Sequence, residues 1–164
     1  MKATDIVDET GLDIHWLSPA EGALVARIVG NLDFSTGEEF RTRFQETLAK
    51  EKPRLLLVDM GEVAYMSSIG LGALISVRAE CGKSETNLML YDVRPAVQRV
   101  FEVSKLSFPI LDPARLEGDS PFGEYIRSQE PEREKRRTRD LAQIKERREK
   151  ASRRRRWPRS RTRF

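Results

Sequence analysis

Apolar positions along the chain change period several times, and each change marks an element. In residues 12–17 and 22–30 the pattern is that of strands, joined by the turn signal Ser18-Pro19-Ala20-Glu21-Gly22. Leu24, Ala26 and Ile28 alternate with Val25, Arg27 and Val29, so the second strand is apolar on nearly both faces and is expected inside a sheet. The period then becomes helical. Ser35 or Thr36 can cap a helix with Glu38 and Glu39 in its first turn, and Phe40, Phe44, Thr47 and Leu48 share one face before Pro53. RLLLVDM is a short continuous apolar strand, and VAYM leads from it to Ser67 and Ser68. Leu71, Leu74, Ile75 and Arg78 fall at i, i+3, i+4 and i+7, with Val77 and Cys81 nearby, which predicts a helix over about 69–82 ending near Gly82. NLMLYDV is a further strand. Pro95 opens a helix that turns Val97, Val100, Phe101 and Leu106 inward, and FPILD is expected as a short edge strand.

The order β-β-α-β-α-β-α-β predicts an α/β fold, a mixed sheet of four to five strands with helices packed on it. After Asp112 the pattern decays. Pro113, Gly118, Pro121 and Gly123 punctuate a linker, and from Glu130 to Arg156 nearly every residue is charged, with Leu141 and Ile144 the only sizeable apolar ones. Residues 1–117 are therefore expected to form one domain. Residues 118–164 are expected to be a linker and a highly charged basic tail, partly helical or disordered. Glu132–Arg136 and Glu146–Lys150 are spaced as i,i+4 ion pairs, worth about 0.2–0.5 kcal/mol each.

Charge follows the same division. Residues 124–164 hold 17 Lys/Arg against 7 Asp/Glu, a net of +10, whereas residues 1–123 hold 13 against 19, a net of −6. The overall +4 averages an acidic body and a basic tail. Cys81 is the only cysteine, which excludes an intrachain disulfide, and with His15 the only histidine, zinc sites built on paired His or Cys ligands are excluded within one chain. MKATDIVDETGLD lacks the basic-then-apolar pattern of a signal peptide, and no apolar run approaches the roughly 20 residues that span a bilayer. A cytoplasmic protein is expected.

Catalytic constellations are scarce. No P-loop occurs, no base stands near a nucleophile, and neither a metal nor a cofactor is indicated, so the chain is not expected to be an enzyme. The two serines stand out by position. A helix starting near Ile69 leaves backbone N–H groups unpaired, with a macrodipole equivalent to about +0.5 charge at that end. A hydroxyl there either caps the helix or, once phosphorylated, adds about −1.5 to −2 charges where a partner docks. Gly70 and Gly72 cost helix stability but leave room for another protein's backbone.

GNLD after a strand, LLLVDMGEVAYMSSIGLGAL and VRPAVQRVFEVSKL, in this order over about residues 12–112, resemble the STAS domain of bacterial anti-sigma factor antagonists. Those domains read G-x-L-D, D-L-S-x-V-x-[FY]-[IM]-D-S-S-G-L-G and V-S-P-x-V-x-R-x-[FL]-x-x-[ST]-G-L. The resemblance implies a non-enzymatic module of transcription regulation that switches partners by reversible serine phosphorylation. Its partners would be a serine kinase of the histidine-kinase-like ATPase fold, acting also as anti-sigma factor, and a phosphatase. By position the phosphorylated serine is Ser68, with Ser67 as rival site, and the partner-binding residues are Asp33, Ser67, Ser68, Ile69, Gly70, Leu71 and Gly72. Three positions depart from the pattern: Ser67 replaces the aspartate, Ile69 the following Ser or Thr, and Lys105 the glycine of the S-G-L turn. Asp33 equally suits a cap before its helix, and Asp59 suits a structural role.

Two other readings stand beside this one. The first is a non-phosphorylated subunit bracing the ATPase of an ABC transporter through the same helix. The second is a localiser acting through the tail. There Arg153, Arg154, Arg155, Arg156, Arg159, Arg161 and Arg163, with Trp157 among them, suit nucleic acid, an anionic membrane or an acidic protein, or are simply a solvated extension.

Overall fold

The computed structural model describes residues 11–156. Trp157, Arg159, Arg161 and Arg163, and the disordered end expected beyond Arg156, lie outside the described residues. The chain divides into two units, residues 1–127 and 128–164.

In the first unit four strands lie in the order β1 (Asp13–Ala20), β2 (Ala23–Val29), β3 (Leu55–Glu62) and β4 (Asn87–Tyr91). β1 runs antiparallel to β2, and β2, β3 and β4 are mutually parallel. Helices α1 (Gly37–Glu51), α2 (Ser68–Lys83) and α3 (Pro95–Val103) connect and follow the parallel strands. The expected strand at FPILD is reduced to one parallel bridge, Leu90 to Ile110, in which the Leu90 N–H donates to Pro109 O and the Leu111 N–H to Leu90 O, both at 2.8 Å. Two prolines' worth of missing donors, at Pro109 and Pro113, limit any longer ladder.

Alternation along the strands splits their side chains between two cores. Leu24, Ala26 and Ile28 of β2, Leu56, Val58 and Met60 of β3, and Leu88 and Leu90 of β4 share one core with Phe40, Phe44, Leu74, Val77 and Phe101 from the three helices. Trp16 packs there on Phe44, their ring centroids 4.9 Å apart. Val25, Leu57 and Tyr91 point to the opposite face. That face is covered by Leu111, Leu116, Phe122, Tyr125 and Ile126. The linker expected from residue 118 thus contains three buried core residues. Phe122 immediately precedes α4 (Gly123–Arg156), and Tyr125 and Ile126, three and four residues on, lie in its first turn on the same side. The Tyr125 hydroxyl donates to Oδ2 of the fully buried Asp59 at 2.5 Å, while Oδ1 accepts from the Gly61 N–H at 3.0 Å, so Asp59 is structural.

α2 packs with Leu71, Leu74, Val77 and Cys81 inward, but Ile75, expected on that face, is 40% exposed. Burial holds the Cys81 thiol up, at about 11. α3 ends with Lys105 at φ 54°, its N–H donating to Glu102 O at 3.1 Å and the Leu106 N–H to Phe101 O at 3.0 Å. This is the left-handed cap that glycine usually fills, and it explains why the departure at Lys105 carries a backbone cost.

The second unit is described by residues 128–156 of α4. Lys150 and Glu146 pair at 2.6 Å as the spacing predicts, but Arg136 pairs with Asp140 at 3.9 Å, and Glu132 is taken by Lys135 at 3.0 Å. An i,i+3 partner is as near as an i,i+4 one, so spacing alone does not select between them. Among the described residues no helix is long and apolar enough to cross a membrane, and no cluster of three metal-ligating side chains occurs.

Candidate functional site

Parallel strands deliver their carboxyl ends, and the loops that follow, to one edge of the sheet. β2 and β3 are neighbours, so the loop 30–36 and the segment 63–67 emerge side by side there. They remain tied beyond the strands. The Leu32 N–H donates to Tyr65 O at 3.1 Å, the Ser67 N–H donates to Leu32 O at 2.9 Å, and the Tyr65 N–H donates to Asn31 Oδ1 at 3.1 Å. Leu32 and Met66, both buried, form the bridge between them.

Asp33 holds the first loop. Its Oδ1 accepts from Ser35 N–H at 2.9 Å, Ser35 Oγ at 2.7 Å, and Thr36 N–H and Oγ1 at 3.3 Å each. These bonds, the Ser35 hydroxyl first, draw its pKa below the ordinary carboxylate value. Thr36 occupies the N-cap position of α1, but its hydroxyl donates to Asn31 O at 2.7 Å and accepts from the Asp33 N–H at 3.0 Å, and it accepts no hydrogen bond from the helix. Capping of this turn therefore falls to the Asp33 carboxylate, and one oxygen of Asp33 is committed to the loop.

The serines divide their tasks. Ser67, in extended backbone and half-buried, is the N-cap of α2, and its Oγ accepts from the Gly70 N–H at 3.2 Å. Ser68 is the first helical residue, exposed, and its hydroxyl has no partner among the described residues. No acidic side chain stands in the first turn of α2. The positive end of the helix is therefore not offset by a carboxylate there.

The glycines also part company. A Cβ on Gly70 would lie 2.1 Å from Leu32 O and 2.6 Å from its carbonyl carbon. Its missing side chain is filled by the chain's own loop, not left for a partner. Leu71 points into the core at 6% exposure. Gly70 and Leu71, expected at the partner surface, are withdrawn from it because the first turn of α2 must seat on Leu32. Gly72 faces open space, with nothing within 4 Å of an added Cβ.

On the loop segments and helix start that flank Ser68, three large apolar side chains are exposed. Phe34 is 82% exposed, Tyr65 55% and Ile69 50%. Ile69 Cγ2 reaches the start of α1, where a Cβ on Gly37 would meet it at 3.4 Å. Neither Phe34 nor Tyr65 follows from a hydrophobic period in the sequence. Phe34 is a large aromatic set in a polar turn, D-F-S-T-G, outside either period, and Tyr65 matches the aromatic of the V-x-[FY]-[IM] pattern. An unburied hydroxyl at a helix N-terminus, rimmed by exposed apolar groups, offers an acceptor for modification and a surface for docking.

A family model for the STAS domain matches residues 19–117. The anti-sigma F factor antagonist of Paenibacillus polymyxa is 26% identical over 93 residues, which cover 56% of this chain and 80% of that protein. An anti-sigma factor antagonist from Mycobacterium paratuberculosis has a similar structure, with a TM-score of 0.54 at 20% identity over 64% of this chain and 89% of that one. The Bacillus cell fate determinant SpoIIAA in its phosphorylated form gives a TM-score of 0.50 at 19% identity, over 61% of this chain and 90% of that one. At these identities the structural likeness bears on the fold.

Proposed function

The chain belongs to the STAS domain family, and from that premise we propose that it is a regulatory binding module without catalytic activity of its own, switching partners by phosphorylation of Ser68. One observation carries the choice of residue: the capping role is already filled by Ser67, which leaves the neighbouring Ser68 hydroxyl exposed and unbonded. A phosphate on Ser68 would stand near the free N–H groups of the first turn, where the helix dipole favours it. It would also place about −1.5 to −2 charges between Tyr65 and Ile69, so a partner covering those side chains would have to desolvate it. Loss of the partner follows. The partner proposed is a serine kinase of the histidine-kinase-like ATPase fold, opposed by a phosphatase, in the cytoplasm. Relatives named as anti-sigma factor antagonists support this class of partner.

The test is incubation with the cognate kinase and ATP, followed by mass spectrometry of the peptide containing both serines. One phosphate on Ser68, lost in Ser68→Ala and retained in Ser67→Ala, is expected. Modification of Ser67 alone would move the switch to the cap. If neither serine is modified and Ser68→Asp binds its partner normally, the domain is a constitutive docking subunit of the transporter-bracing kind instead.

A further inference from the structure

Taken by themselves, residues 128–156 sort their charges into two stretches. In the first, Lys135 pairs with Glu132 and Arg137 with Glu130, and Arg136 reaches Asp140. From Arg139 onward the balance changes: residues 139–156 hold nine Lys/Arg against three Asp/Glu, a net of +6. Lys150 pairs with Glu146, but among the described residues Arg139, Lys145, Arg147, Arg148 and Arg153–Arg156 have no ion-pair partner. Four consecutive exposed arginines, Arg153–Arg156, stand at the end of the described part of the helix.

We propose that residues 139–156 of α4 bind the phosphate backbone of nucleic acid without reading its bases. Eighteen helical residues extend about 27 Å, a rod of net charge +6 facing a polymer that carries one negative charge per about 1.7 Å. Within 128–156 there is no aromatic side chain to stack on a base, so affinity comes from counterion release and varies little with sequence. An anionic membrane is the weaker fit. A helix lying in a lipid interface needs a continuous apolar face, and the only large apolar side chains here are Leu141 and Ile144.

The experiment is fluorescence anisotropy of the full chain with labelled duplex DNA of two unrelated sequences and with a labelled single-stranded RNA, titrated across salt. Sedimentation with phosphatidylserine vesicles runs in parallel. Both duplexes should bind within twofold of each other at low salt, and more weakly as salt rises. The variant R153Q/R154Q/R155Q/R156Q should lose at least tenfold in affinity, with the log–log salt slope flattened by about 3–4 for the duplex and somewhat less for the RNA. Removing two cations from the body, K50Q/K83Q, should leave binding unchanged. The proposal fails if no nucleic acid binds at low salt, if the quadruple variant binds like the parent, or if vesicles bind the chain while DNA neither binds nor competes.

Discussion

Two substitutions of the same kind, two residues apart, should have opposite signs. In Gly70→Ala the new Cβ would sit 2.1 Å from Leu32 O and 2.8 Å from Leu32 Cβ. The obstacle is backbone, so loop and helix must separate by about 1.3 Å to restore ordinary contact. Strain of this kind costs about 1–3 kcal/mol. Separation also weakens the bond from Ser67 N–H to Leu32 O, now 2.9 Å, at about 0.5–1.5 kcal/mol. Against this, alanine returns up to about 1 kcal/mol of helix propensity. The net is a loss of about 2 kcal/mol, or a melting temperature lower by about 7–8 °C for a body of this size, at about 2.1 cal/mol/K of unfolding entropy per residue. Gly72→Ala meets nothing within 4 Å and keeps only the propensity gain, so it should melt a few degrees higher. Thermal unfolding by circular dichroism measures both. Equal stability of Gly70→Ala and parent, or shifts of the same sign in the two variants, would refute the seating of α2 on Leu32.

The division between the serines predicts that Ser67→Ala costs about 1 kcal/mol by removing a cap, while Ser68→Ala stays within about 0.5 kcal/mol in the same denaturant titration. Asp33 has its pKa lowered by hydrogen bonds from Ser35 and Thr36, so its contribution is present above its unfolded value and disappears as pH falls through the lower folded one. Asp33→Ala should therefore lower the melting temperature more at pH 6 than at pH 2.5. A chain ending at residue 121 lacks Phe122, Tyr125 and Ile126 and uncovers Val25, Leu57 and Tyr91. It should be less stable than a chain ending at 127 by several kcal/mol, at about 1.5–3 kcal/mol per buried side chain, as read by chemical denaturation.

Regular patterns made most of the fold legible. β2 reads as an inner strand because it is apolar on nearly both faces, and one core receives Leu24, Ala26 and Ile28 while the other receives Ala23 and Val25. Pro95 opens α3 because its missing N–H is spare at that position. What escaped the pattern depended on neighbours distant in sequence. Ile75 has the helical spacing of a core residue, but the inward stripe of α2 is filled by Ala73 and Val77 on its other side. Phe122, Tyr125 and Ile126 are three apolar residues before a long charged run, too few to show a period, and their burial needs the far face of the sheet. At the site, Ser67, Ser68 and Asp33 announced a helix start and a turn, whereas Gly70 could be told from Gly72 only by locating Leu32. Phe34 and Tyr65 join the rim through loop pairing that no local spacing encodes.

In the switch we propose, an uncharged Ser68, flanked by Phe34, Tyr65 and Ile69, is what a partner requires. Isothermal titration of the cognate kinase into the parent, Ser68→Ala, Ser68→Asp and the phosphorylated protein tests it most directly. Parent and Ser68→Ala should bind alike. Ser68→Asp should bind about tenfold more weakly and the phosphorylated form about a hundredfold, a charge of about −1 against nearly twice that. Equal affinity of the phosphorylated and unmodified protein would contradict it.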